Sequence, residues 1–116
     1  MDNPEERPDW VKELDEKAST SFPEWTEFFV YQGRPIATTR SFCRERAGRY
    51  WHREEIKEWG RNAGFMPWKG MHKGTNEVNI FLLLGGYTCR HILIPVSRGT
   101  VPQEDLDRMR EKGLIQ

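Results

Sequence analysis

The stretch Gly85-Gly86-Tyr87-Thr88-Cys89-Arg90-His91-Ile92-Leu93-Ile94-Pro95-Val96 limits the fold more than any other part of the chain. Its β-branched run favours extended backbone. Side chains alternate across a strand. A strand over 90–96 therefore turns Cys89, His91 and Leu93 to one face and Arg90, Ile92 and Ile94 to the other. A thiol and an imidazole on one strand face form either a site or a packed polar knot in the core.

Two other segments read as strands. Trp25-Thr26-Glu27-Phe28-Phe29-Val30-Tyr31 is almost all aromatic or β-branched, and Gly33-Arg34-Pro35 breaks it. Ser21-Phe22-Pro23-Glu24 before it has the form of a capping box, but the residues that follow favour a strand over a helix. Val78 to Leu84 is an apolar run ended by Gly85-Gly86, which predicts a hairpin with strand 90–96 around residues 85–88.

Helices fill the rest. Trp10, Val11 and Leu14 follow Pro8 at helical spacing, which predicts a short helix over 9–18. Residues 39–47 form a second, capped by Thr39 or Ser41 and ended by Gly48. Arg49-Tyr50-Trp51 is a short extended piece. Residues 52–59 form a third helix, with acids in its first turn, Ile56 and Trp59 on its apolar face, and Gly60 after its end. Residues 60–76 read as a long loop. Thr100-Val101-Pro102-Gln103 has the form of a capping box and starts a C-terminal helix over 102–112. The fold class is α+β: a small antiparallel sheet packed by short helices, with a long loop and an appended C-terminal helix. Residues 1–24 form an N-terminal arm or peripheral helix, 25–98 the main domain and 99–116 the C-terminal helix.

Composition narrows the function classes. The 116 residues suffice for one modest core. Lys and Arg total 18 and Asp and Glu total 18, so global charge gives no reason to expect a polyanionic partner. The apolar fraction is a lean 36%, and five Trp, six Phe and three Tyr compensate by area. No apolar run approaches the roughly 20 residues of a membrane helix, so no membrane partner is expected. The polar N-terminus has no signal-peptide core. Two cysteines are too few for a disulfide scaffold.

The residues offer three chemistries. Zinc takes thiolate and imidazole ligands, usually four in a structural site. Cys43, Cys89 and His91 offer three, and His72 or His52 a fourth, without a zinc-finger spacing. Otherwise the cysteines are small buried hydrophobes and His91 a core histidine. A Cys89–His91 hydrolase pair lacks an orienting Asn or Asp and an oxyanion loop. Arg40, Arg44, Arg46, Arg49 and Arg53 form a basic run interleaved with Phe42, Tyr50 and Trp51, the residue types that bind phosphates and stack bases. Glu45, Glu54 and Glu55 neutralise much of that run, which makes it a salt-bridged face or a contact surface for DNA or an acidic partner.

Taken together, Thr39 to Tyr50, then Glu54-Glu55-Ile56 and Trp59, then Gly85 to Val96 resemble the C-terminal region of phage Mu F-like minor head proteins, a head morphogenesis family. The resemblance spans about residues 25–96. It implies a non-enzymatic structural protein of the phage head, partnered by portal or capsid proteins and possibly DNA. Such a protein passes from host cytoplasm to virion. On that reading Cys43, Cys89 and His91 hold two halves of the fold together, by packing or by a shared zinc. The alternative is a small metal-dependent nucleic-acid-binding protein or phage effector, with His91 and His72 at its site.

Overall fold

A computed structural model describes residues 9–33, 41–63, 65–68, 71, 73–84 and 91–116. Three strands form an antiparallel sheet: β1 (Phe28–Gln32), β2 (Tyr50–His52) and β3 (Ile92–Val96), in the order β2-β1-β3. The helices are α1 (Asp9–Ser21), α2 (Ser41–Arg46), α3 (Arg53–Asn62), α4 (Ile80–Leu83) and α5 (Gln103–Glu111). The α+β class is as expected. None of the described helices is long and apolar enough to cross a membrane.

Strand β1 lies in the middle because both its faces are apolar. Phe29 and Tyr31 are fully buried in the larger core, with Trp51, Leu93, Phe42, Ile56, Ile80 and Phe81. Phe28 faces the other way, into a smaller core with Val101 and Met109. Register follows from this alternation: Val30 pairs with Tyr50 on one side and Ile94 on the other. A slip of one residue would turn Phe29 and Tyr31 out of the core. Strand β3 alternates as expected, with His91 and Leu93 buried and Ile92 exposed. Cys89 and Arg90 lie outside the described residues, as does the turn expected at 85–88.

The largest departure is the segment 78–84. It forms no strand and no hairpin with β3; its apolar core is the single helical turn α4. Two asparagines build that turn. The Asn76 Oδ1 accepts from the Val78 and Asn79 backbone N–H groups, both at 2.8 Å. The Asn79 Oδ1 accepts from Asn76 N–H at 2.8 Å. These side chains take over backbone partners that a strand ladder would otherwise supply. Leu84 then leaves the helix with φ at 44°. An apolar run this short fits a buried strand or a buried turn equally well. The sheet's third strand is instead β2, from the piece read only as extended.

Smaller corrections have local causes. Strand β1 starts at Phe28, not at 25, because Thr26 N–H closes a turn onto the Pro23 carbonyl at 2.9 Å. The box at Thr100–Gln103 does not form. The Thr100 hydroxyl meets the Ser97 hydroxyl at 3.1 Å, and Pro102 occupies the α5 N-cap without a side-chain bond. Helix α1 runs on to Ser21, past 18. It docks through buried Ala18 and an Asp15–Asn76 side-chain bond of 3.3 Å.

Gly60 was expected just past the end of α3 but lies inside it. The reason is proximity: a Cβ there would sit 2.6 Å from the Glu77 Cα and closer still to the Asn76 carbonyl. Helix α3 and the asparagine turn touch backbone to backbone. Gly→Ala inside a helix ordinarily stabilises by about 1 kcal/mol. Here Gly60→Ala is expected to destabilise by about 1–3 kcal/mol through overpacking. Urea unfolding checks the sign, and a gain in midpoint would refute the contact.

Candidate functional site

The two segments that carry the resemblance meet on one side chain. Tyr31 is fully buried at the centre of β1. Its hydroxyl lies 3.3 Å from the Cys43 sulfur on α2. Its ring lies 5.3 Å from the His91 ring, tilted by 36°. Cys43 and His91 therefore approach the same residue from different elements. Gly33 completes the fit: a Cβ there would fall 2.8 Å from the His91 Cγ.

Two members of the expected metal set, Cys43 and His91, lie among the described residues. Zinc takes four ligands in a structural site. The described part contributes the Cys43 sulfur and the His91 imidazole. Cys89 and His72 lie outside the described residues. Among the described residues, no group of three or more His, Cys, Asp or Glu could hold a metal ion. His52 is not the fourth ligand, because its Nδ1 accepts the Glu54 N–H at 3.1 Å as the cap of α3. His91 is 6% exposed, and neither ring nitrogen has a hydrogen-bond partner among the described residues.

The basic run divides into two kinds of arginine. Arg46 folds inward, with its guanidinium 3.8 Å from the Phe42 ring centre and 4.6 Å from that of Trp59. It donates to the Phe42 carbonyl at 2.9 Å. Burial draws its pKa down, against the pull of Glu45. Arg53 reaches across 27 residues to donate to the Thr26 carbonyl at 2.7 Å, and also to the carbonyls of Phe22 and Pro23. It closes the chain turn before β1. Burial lowers its pKa too, against Glu24 and Glu54. Arg44 and Arg49 are exposed, and Arg40 lies outside the described residues. The interleaved aromatics are not a base-stacking platform. Phe42 and Trp51 are buried in the core, and Tyr50 packs against the smaller one.

The strongest polar cluster was not foreseen. Glu55, one residue from the middle of the resemblance, is 1% exposed. Its Oε1 accepts from His52 N–H at 2.9 Å and from Arg108 Nη2 at 3.0 Å. Its Oε2 accepts from Arg108 Nε at 3.0 Å and from Lys112 Nζ at 2.8 Å. Arg108 also donates to Asp105 and to the Tyr50 carbonyl. Burial pushes the Glu55 carboxyl up, but the bonds from Arg108, His52 and Lys112 outweigh it and leave the pKa below its ordinary value. Burial likewise opposes the Arg108 charge, and Glu55 and Asp105 raise its pKa regardless. The sequence signal was half present: acids in the first turn of α3 were visible, but nothing local tied one of them to a helix over 50 residues away.

A groove of about 820 Å³ runs between α1, the 22–25 turn and the start of α3. Phe22, Val78 and Phe81 line its floor, and Glu24, Trp25 and Lys57 its mouth. Trp25 is 82% exposed there. Compared with protein-family models, with curated proteins and with solved structures, the chain matches none.

Two outcomes follow for this cluster and for the junction. Glu55→Gln is expected to cost about 3 kcal/mol, because it strands part of two cations against a buried wall. With its pKa lowered in the fold, Glu55 contributes stability that is complete above the ordinary 4.5 and is lost as pH falls through the folded value. The acid limb of a thermal-midpoint-against-pH curve should therefore flatten in the variant. Tyr31→Phe is expected to cost about 1 kcal/mol, the net worth of one buried hydrogen bond. A midpoint unchanged in urea would mean that the Tyr31–Cys43 contact carries nothing.

Proposed function

We propose that this chain is a non-enzymatic structural protein of a phage head, acting in head morphogenesis or at the portal and capsid interior. The observation that carries the reading is the convergence of Cys43 and His91 on Tyr31. The two segments resembling the minor head family are far apart in sequence, and a characteristic side chain of each packs on Tyr31. Arg46 and Trp59 from the same segments, and Arg53 between them, also work inward, on rings and carbonyls. Residues used this way build a rigid module, as a shell or portal component requires.

The alternative, a small metal-dependent nucleic-acid-binding protein or phage effector, draws on exposed Arg44 and Arg49 and on the buried His91 nitrogens. Purified chain with stoichiometric zinc, and DNA affinity that falls steeply with salt, would favour it.

The test is co-expression with phage portal and major capsid proteins, followed by gradient sedimentation. The chain is expected to co-sediment with portal or proheads, and deletion of its gene to leave heads defective. A chain that stays at the top of the gradient, with normal heads formed without it, would overturn the reading.

A further inference from the structure

His52 stands at a joint. It ends β2, caps α3, and packs edge-on against Phe28 with ring centres 5.5 Å apart. It is 7% exposed. Its Nδ1 accepts the Glu54 N–H, so that nitrogen is unprotonated in this fold. Its own backbone N–H goes to Glu55, whose Oε1 also holds Arg108. The same Arg108 grips the Tyr50 carbonyl, two residues before His52. The anchor of α5 thus straddles the joint that His52 caps.

We propose that His52 is an acid-sensitive latch: protonation of its imidazole opens the α3 cap and, through Glu55 and the Tyr50 carbonyl, loosens the seat of α5. A proton on Nδ1 turns an acceptor into a donor pointed at another donor, the Glu54 N–H. The capping bond cannot survive that change.

The charges around the ring do not cancel this effect. Before β1, Glu27 lies 3.9 Å from Nε2, but its side chain is 60% exposed and screened by solvent. On α3, Glu54 and Glu55 favour the charged ring and Arg53 opposes it. From α5, Arg108 and Lys112 already occupy Glu55, and Arg108 holds Asp105. Burial is the largest influence on the imidazole and keeps it neutral below the ordinary 6.5. The sign is then fixed. A depressed folded value gives stability that is complete above 6.5 and lost as pH falls through the folded value.

The experiment uses the full chain and His52→Asn, since Asn caps helices without titrating. Amide hydrogen exchange is measured at about pH 7.5 and about pH 5.5, each corrected for intrinsic rates. In the wild type, protection of the Glu54 amide and of the α5 amides is expected to fall about tenfold at the lower pH. In His52→Asn both are expected to hold. Equal losses in the two proteins would overturn the latch, and loss at Glu54 with α5 unmoved would overturn its coupling. Should the variant fail to fold, the His52 ring resonance in the wild type decides. A titration midpoint at or above 6.5 overturns the latch, and one below it supports the latch only with wild-type Glu54 and α5 amides losing protection over the same pH range.

Discussion

A carboxylate sealed from water holds this molecule's second layer in place. Taking an ion such as that of Glu55 out of water costs several kcal/mol even after relaxation. Only an array of donors can offset that, and Glu55 has four bonds from three residues. Those donors come from β2 and from α5, so satisfying the charge fixes where α5 sits. The small core of Phe28, Val101 and Met109 closes under it, with Leu106, Leu114 and Ile115 at its margin. Apolar packing alone would leave α5 free to slide along the sheet, because burial has no direction. The guanidinium fork supplies the direction, with one nitrogen on each carboxylate oxygen. Arg108 then lies 4.6 Å over the Trp51 ring, which links the ion cluster to the larger core.

On the opposite face the problem is different, and arginine solves it again. The turn between α1 and β1 leaves three carbonyls, of Phe22, Pro23 and Thr26, without a ladder to join. Arg53 collects all three while its plane rests 4.9 Å from the Phe81 ring and 5.5 Å from that of Phe29. Arg46 does comparable work at the end of α2, between Phe42 and Trp59. In a chain with so small an apolar fraction, these flat cations serve as core material as well as charge. Two of the run's four described arginines are spent in this way, while Arg44 and Arg49 are exposed.

Strand β1 was legible from its aromatic and β-branched residues, and β3 from alternation, which over several residues has one interpretation. His91 and Leu93 point inward and Ile92 outward, as period two demands. Helix α3 was legible from its first-turn acids, and α2 from the Gly48 that ends it. Residues 78–84 were not. Every residue there is apolar or amide, so no periodicity separates strand from turn, and the deciding bonds come from Asn76 and Asn79 side chains. Gly60 misled in the same way. As punctuation it marks a helix end, but here it marks where another backbone passes. For the candidate site, the convergence of Cys43 with His91 was readable from the order of the two motifs. Its mediator, Tyr31, was not, since an aromatic in a strand carries no sign of what it touches. Glu55 was hidden for a stronger reason: its partners lie 53 and 57 residues away. Pair interactions across that distance leave no trace in local pattern.

A motif that survives in order along a chain need not mark a reaction. Thr39 to Trp59 and Gly85 to Val96 look, as strings, like a site: a cysteine, a histidine, arginines and carboxylates. In three dimensions several of the described members have mechanical tasks. Cys43 meets the Tyr31 hydroxyl, Arg46 bridges two rings, His52 and Glu55 cap α3 and seat α5, and Arg53 closes a turn. Trp59 packs on Trp51 with ring centres 5.0 Å apart. Polar residues in those roles are more exacting than aliphatic ones, because each must keep a specific partner or leave a buried group stranded. A polar pattern can therefore be as strict for a fold as for a catalyst. The His91 ring packs against Tyr31, and neither of its nitrogens is paired among the described residues.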